Sequence, residues 1–276
     1  MQQIESLLDV AGRYDAVVLD QWGVLHDGTR PYPGAGAAVE ALAAAGHRLA
    51  VLSNSGKRSD ANRARIAAMG FPVHLIELVM TSGEALWRDM AGGRVLARAP
   101  FLVADDPRNA ELWAEGLPVA PAAAVEWADA VIVMGLDEGR TDAARAAIRL
   151  GVERGLPVIC SNPDLGSPRA GGRVALSPGA LAREAEAAGA HVVWYGKPHR
   201  PVFDACARAL DADRLLMVGD SPAHDVAGAK AAGWDAALVS GGLHAARLSG
   251  HGAAAARTLC DEEGVPHADY LIGTLA

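Results

Sequence analysis

The chain has 276 residues, 25 Lys and Arg against 33 Asp and Glu for a formal charge of −8, and 51% hydrophobic residues. That length and apolar content support a sizeable core and, at roughly 150 residues per domain, two domains; a disordered or fibrous chain is excluded. The acidic balance, with a pI near 5.6, argues against a nucleic-acid partner, because a protein that tracks phosphates needs a strongly basic face.

The first segment lacks a cationic start and carries Glu5 and Asp9. With no run of about 18 apolar residues, the expectation is a cytoplasmic protein with no membrane partner. Strand-like apolar runs then alternate with Ala-rich helical stretches, the pattern of a parallel α/β sheet. A strand is predicted over 14–19, a helix over 36–45 closed by Gly46, and a strand over 47–52. A helix over 59–70 capped by Ser59 and a weaker strand over 74–80 follow. The runs FLVADD, ADAVIVMG and LPVICSNPD, a helix over 143–154 and a Gly- and Pro-rich loop over 164–179 read as an inserted domain spanning 81–188. The flanking segments, 1–80 and 189–276, form one discontinuous domain. In its second part, strands at 214–218 and 235–239 flank a helix over 225–232 closed by Gly233, and the tail reads as a helix and a short edge element. Cys160, Cys206 and Cys260 are widely spaced without a CxxC pair, which predicts buried reduced thiols rather than a disulfide framework or a zinc site.

Four polar groups fall where a strand ends, the edge at which open α/β sheets bind ligands. They are Asp20 in VVLDQWGVLHDG, Ser53-Asn54-Ser55 after AVL, Lys197 in WYGKPHRPVF, and Asp220 with Asp225 in LLMVGDSPAHD. Singly each has an ordinary explanation, since Asp and Ser after a strand are common helix caps and a lone Lys is usually solvated. Together, carboxylates converging on one edge repel unless a cation sits among them, and an all-oxygen set suits Mg²⁺. A Lys and a Ser-Asn turn facing the metal would hold the remaining charge of a phosphate. The arrangement points to phosphoryl chemistry.

The ordered set Asp20 with Gly23-Val24-Leu25, Ser53-Asn54, Gly196-Lys197-Pro198, and Gly219-Asp220 with Asp225 resembles the four motifs of the haloacid dehalogenase superfamily. The phrases VIVMGLDEG, CSNPDLGSP and VALSPGAL in the insert resemble subfamily IIA, the NagD-like phosphatases. This resemblance covers about 14–243 and implies a Rossmann-like core, a class-two α/β cap, Mg²⁺, and hydrolysis of a small phosphorylated metabolite through a phospho-aspartate; a homodimer is compatible with it. It assigns Asp20 as nucleophile and metal ligand. Asp220 becomes a direct metal ligand, Asp225 ligates directly or orients a metal-bound water, and the Trp22 backbone carbonyl is a further ligand. Ser53, the Asn54 backbone N–H and Lys197 would grip the phosphoryl oxygens.

The departure is Trp22. Family phosphatases carry a second Asp there, whose carboxyl protonates the leaving oxygen and then activates water. An indole has only an N–H donor and cannot do this. General acid–base help is worth about 10² to 10⁴ in rate, so turnover of alkyl phosphates is expected to be slow unless another group substitutes. Asp27, His26 and His199 are the nearby candidates, although Asp27-Gly28 reads first as a turn, His26 as its flank and His199 as a helix-start residue. Trp22 itself is read as a packing residue shielding the site, with a platform against substrate as the alternative.

In the insert, Asn162 and Asp164 are the substrate-binding candidates, on a loop the resemblance turns toward the active site on domain closure; an Asx-type turn is the competing reading. The glycine-rich loop 169–173 is a candidate border of that entrance. Gly34-Ala35-Gly36 follows Pro33 and lacks a third glycine, so it is no dinucleotide fingerprint. The alternative function is a phosphate-ligand binding or regulatory protein with little turnover. Dehalogenase or phosphonate chemistry is a third, and the acidic pair Asp220 and Asp225 argues against a metal-free dehalogenase.

Overall fold

The computed structural model describes residues 1–168 and 173–275, which leaves Arg169–Gly172 of the glycine-rich loop outside the described residues. The chain begins β1 (Gln2–Gln3), α1 (Leu8–Ala11), β2 (Ala16–Asp20), α2 (Ala35–Ala44), β3 (Leu49–Ser53), α3 (Ser59–Ala68) and β4 (Leu78–Thr81). It continues with α4 (Ser82–Ala91), β5 (Pro100–Val103), α5 (Pro107–Ala114), β6 (Ala130–Val133), α6 (Thr141–Glu153) and β7 (Val158–Cys160). The strands β8 (Gly166–Pro168) and β9 (Val174–Leu176), the helix α7 (Pro178–Ala187) and β10 (Val192–Trp194) follow. The last stretch holds α8 (Arg200–Leu210), β11 (Leu215–Gly219), α9 (Ala227–Ala232), β12 (Asp235–Val239), α10 (Ala245–Leu248), α11 (Gly252–Glu262) and β13 (Tyr270–Ile272).

Two compact units result: Met1–Ser53, Asp60–Met80 and Lys197–Ala276 form the core, and Asn54–Ser59 with Thr81–Gly196 form the insert. The core holds a seven-stranded sheet in the order β1-β13-β12-β11-β2-β3-β4. Its central pairs are parallel, with Asp20 opposite Leu52 and Val218 opposite Leu19. Val17, Leu19, Val51, Leu216 and Val218 pack with Val39, Leu42 and Ile66 of the helices in one apolar cluster. Val18, which points to the other face, is fully buried too. Both faces are therefore covered, which is why these strands read as continuous apolar runs. The insert has its own parallel sheet, β10-β7-β6-β5, and its own core, in which Val131, Val133 and Val158 meet Ile148, Leu181 and Ala185.

Several expectations shift. The insert ends at Gly196 rather than at 188, because β10 pairs with β7 inside the insert's sheet. The stretch 74–80 is not one strand: a 3₁₀ turn over Val73–Leu75 follows Pro72, with the Leu75 N–H donating to Pro72 O at 2.9 Å, and only Leu78–Thr81 is extended. The helix α3 begins at Ser59. The loop over 164–179 contains the antiparallel pair β8 and β9. The helix expected over 225–232 begins as a π turn over Pro222–Val226 before α9. The tail strand β13 is interior, since β1 covers its outer edge. Cys160, Cys206 and Cys260 are all buried and in no disulfide. Among the described residues, no helix is long and apolar enough to cross a membrane.

Candidate active site

The chain runs outward from β2 to β3 and β4 on one side of the core sheet, then returns to β11, β12 and β13 on the other. The reversal falls between β2 and β11, and ligands bind outside the carboxyl ends of the strands at such a switch point. Asp20 is the last residue of β2, Asp220 directly follows β11, and Ser53 ends β3 one residue past the partner of Asp20. Lys197 opens the core's third segment just before α8.

These residues meet. Lys197 Nζ donates to Asp20 Oδ1 at 2.5 Å and to Asp225 Oδ1 at 2.7 Å. Asp20 Oδ1 also accepts from the Gln21 N–H at 2.7 Å, and Asp225 Oδ2 from the Ser221 N–H at 3.1 Å. Asp220 Oδ2 accepts from the Leu243 N–H at 2.6 Å. One carboxylate oxygen each from Asp20, Asp220 and Asp225 lies within 4.8 Å of the others. Glycines allow this density. A Cβ on Gly23, whose φ is +87°, would lie 1.8 Å from Asp220 Oδ2, and one on Gly242 would lie 2.3 Å from the same atom. The Gly241-Gly242 pair after β12 and the Leu243 N–H were missed in the sequence, where the only signal was the SGGL dipeptide of glycines at a strand end.

Burial is what makes the cluster electrostatically tense. It pushes the Asp20 carboxyl well above the usual range; Lys197 opposes this, while the neighbouring charges of Asp225 and Asp220 add to it. Asp220 is raised to about 6, by burial first and then by Asp225. Burial alone would lower Lys197, but its contacts with Asp20 and Asp225 outweigh that and hold it above its ordinary value, so it stays cationic. One ammonium cannot neutralise three buried carboxylates, and an isolated buried charge is costly. The donor set, all oxygen and short of positive charge, fits a hard divalent cation.

The remaining candidates divide. Ser53 is buried at the strand end. Trp22 is 37% exposed, with its indole packed beside Gly28, where a Cβ would lie 2.8 Å from Nε1. Asp27 is a turn residue, its Oδ1 accepting from the Thr29 N–H and Oγ1 and from the Arg30 N–H, and these bonds lower it to about 2. It is a poor proton donor. His26 is buried, its Nδ1 accepts from the Gly28 N–H at 2.9 Å, and burial together with Arg65 lowers it to about 4. His199 is partly buried just before α8. In the insert, Asn54 Nδ2 donates to Asp164 Oδ1 at 2.7 Å, and the Asp164 N–H to Asn162 Oδ1 at 3.3 Å, an Asx-type turn.

Two segments of the chain match known families, the first running into the insert and the second beginning at its end. Residues 17–114 match a haloacid dehalogenase-like hydrolase model and 194–262 a HAD-hydrolase-like model. The glycerol-3-phosphate phosphatase of Gallus gallus is 30% identical over 237 residues, covering 78% of this chain and 76% of its own length. A haloacid dehalogenase-like hydrolase from Brucella suis 1330 is 30% identical with a TM-score of 0.79, covering 99% of this chain and all 100% of that one. The glycerol phosphate phosphatase of Mycobacterium tuberculosis, in complex with calcium, is 25% identical with a TM-score of 0.71, covering 84% of this chain and 68% of that one. The chain belongs to the haloacid dehalogenase-like hydrolases, among the NagD-like phosphatases of subfamily IIA.

Proposed function

We propose that the protein is an Mg²⁺-dependent phosphohydrolase that acts on a small phosphorylated metabolite through Asp20. The observation that carries this reading is the buried trio Asp20, Asp220 and Asp225 with Lys197 between two of them. The acid-rich oxygen set, and the calcium bound by the Mycobacterium tuberculosis relative, support a divalent cation held by the three carboxylates and the Trp22 carbonyl. Such a cation supplies charge neutralisation for a transferring phosphoryl group. The three buried cysteines, none in a disulfide, fit a reducing compartment such as the cytoplasm.

The residues divide the work. Asp20 attacks phosphorus in line, the bond from phosphorus to the leaving oxygen breaks, and a phospho-aspartate forms; water then cleaves it to inorganic phosphate and restores the carboxylate. Lys197 holds Asp20 in place and meets the negative charge of the phosphoryl oxygens. Ser53 and the Asn54 backbone N–H are the remaining phosphoryl donors, and Asn162 is the substrate-side candidate of the insert. With Trp22 in place of an acid, and with Asp27 and His26 ill suited to replace it, both proton transfers lack a dedicated group. Substrates with good leaving groups are therefore favoured.

The test is phosphate release from a panel of phosphorylated metabolites with and without Mg²⁺, with Asp20→Asn as the blank. A metal-dependent activity absent from Asp20→Asn is expected. A reactive aryl phosphate is expected to give a burst of leaving group and a trappable phosphoenzyme, and Trp22→Asp to raise steady-state turnover by about 10². Tight phosphate binding without turnover of any ester would instead favour a binding or regulatory protein, the reading that the exposed Trp22 also suits.

A further inference from the structure

We propose that Asp164 is a positioning residue: through the Asn54 side chain it sets the direction of the Asn54 backbone N–H toward the phosphoryl group, and it does not touch the substrate. The proposal rests on the phosphohydrolase reading above and assigns one insert residue a specific part in it.

Asn54 directly follows the buried Ser53 that ends β3, and is the first residue of the insert's first segment. The direction of its N–H depends on rotation about the bonds flanking the Ser53-Asn54 peptide. Beyond Asn54 the chain is fixed at close quarters. Ser55 O accepts from the Gly83 N–H at 3.0 Å, and Thr81 Oγ1 donates to Lys57 O at 2.5 Å. Gly56 and Gly83 are tight approaches, since a Cβ on Gly56 would lie 2.1 Å from Met134 O and one on Gly83 would lie 1.9 Å from Gly56 O. The side-chain bond from Asn54 Nδ2 to Asp164 Oδ1, 2.7 Å, ties the Asn54 side chain to the loop after β7.

That loop is held on every side within the insert. Cys160 Sγ donates to Asn162 O at 3.2 Å, the Asp164 N–H donates to Asn162 Oδ1, and the Gly179 N–H in the first turn of α7 donates to Asp164 O at 3.1 Å. Gly179 and Gly196 clamp the Pro163 peptide and ring: their Cβ atoms would lie 2.1 Å from Pro163 O and 2.5 Å from Pro163 Cδ. A carboxylate presented from so constrained a backbone is a fixed acceptor, and an ionised acceptor makes one of the stronger hydrogen bonds available to an amide. One oxygen of Asp164 is thereby committed to Asn54, which suits a group acting through its neighbour better than a substrate ligand.

The test is a double-mutant cycle with Asn54→Ala and Asp164→Ala, assayed with p-nitrophenyl phosphate and with glycerol 3-phosphate, alongside wild type and Asp20→Asn. Asp164→Ala is expected to lower kcat by roughly 10² with little change in KM, because a small misdirection of a reacting-group contact has that effect. The factor is expected to be the same for both esters, which share only the phosphoryl group. The double variant is expected to lie within about threefold of the weaker single variant, since residues acting as one unit are not additive. Should Asp164→Ala not fold, Asp164→Asn, which keeps an acceptor oxygen, is expected to show a smaller loss with the same substrate independence. Losses that multiply, or that differ between the two esters with a raised KM, would overturn the proposal in favour of direct substrate contact. An inactive wild type, or full activity in Asp20→Asn, would overturn the phosphohydrolase reading itself, which the cycle alone does not.

Discussion

Gly23→Ala and Gly46→Ala form a matched pair that isolates the crowding at Asp220. Both glycines have left-handed backbones, with φ of +87° and +85°. A side chain in that region costs roughly 1–2 kcal/mol, a loss of about 2–8 °C in Tm for a unit of this size. A Cβ on Gly46 meets nothing within 4 Å, so this backbone cost is the whole effect there. On Gly23 the new atom would sit 1.8, 2.3 and 2.8 Å from Asp220 Oδ2, Cγ and Oδ1. Restoring ordinary contact at roughly 3.4 Å requires the carboxylate to retreat by about 1.5 Å. That movement breaks its 2.6 Å bond from the Leu243 N–H and takes it out of the cluster with Asp20 and Asp225. A 1 Å misplacement of a catalytic group costs about 10² in rate. Gly23→Ala is therefore expected to lose at least 10² in kcat and to weaken Mg²⁺ binding in calorimetric titration, while Gly46→Ala keeps both; the two share the backbone part of the fall in Tm, and Gly23→Ala falls further. Equal activity in the two variants would refute the argument that the missing Cβ at position 23 makes room for Asp220.

Lys197→Met leaves Asp20 and Asp225 buried without their shared cation; losing one partner of a buried pair costs about 3–5 kcal/mol, so Tm is expected to fall sharply without metal, to recover in part with Mg²⁺, and activity to fall by 10² or more. A variant with wild-type turnover would remove Lys197 from the mechanism. His26 is lowered to about 4 in the fold from an ordinary value of 6.5, so its stabilising effect is complete above pH 6.5 and is lost as the pH falls through 4. Urea titrations at stepped pH are expected to show wild type losing stability across that window and His26→Asn losing less; parallel curves would exclude His26 as the cause.

The core was legible because its strands are buried on both faces: the expected strands 14–19, 47–52 and 235–239 hold the uninterrupted apolar runs 16–19, 49–52 and 236–239, followed by Asp20, Ser53 and Ser240, and each lies within about two residues of an observed strand. What escaped was set by partners distant in the chain. Gln2 and Gln3 are polar and exposed and read as nothing, yet they form a strand because Tyr270 and Leu271 offer an edge. The residues 189–196 look the same whichever unit they join; only the pairing of Val192 with Val158 assigns them to the insert. The pair β8 and β9 lay hidden in a Gly- and Pro-rich stretch, since strands of three residues are too short to display an alternation.

The site divides in the same way, between what residue type announces and what only close approach reveals. Acidic residues at strand ends and a Lys before a helix are conspicuous, and they meet as bonded neighbours. The elements that let them meet have no chemistry of their own. Gly219 leaves room for Asp225, since a Cβ there would lie 2.1 Å from its Cγ, and Gly23 and Gly242 leave room for Asp220. A glycine in a strand-end loop has many ordinary uses, so its sequence signal is weak, yet here it decides whether three carboxylates share one small space. Burial first, and then the repulsion stored in that space, raises Asp20 and Asp220 above their ordinary range. A divalent cation that lowers it would therefore be bound more tightly than by a looser set of the same residues.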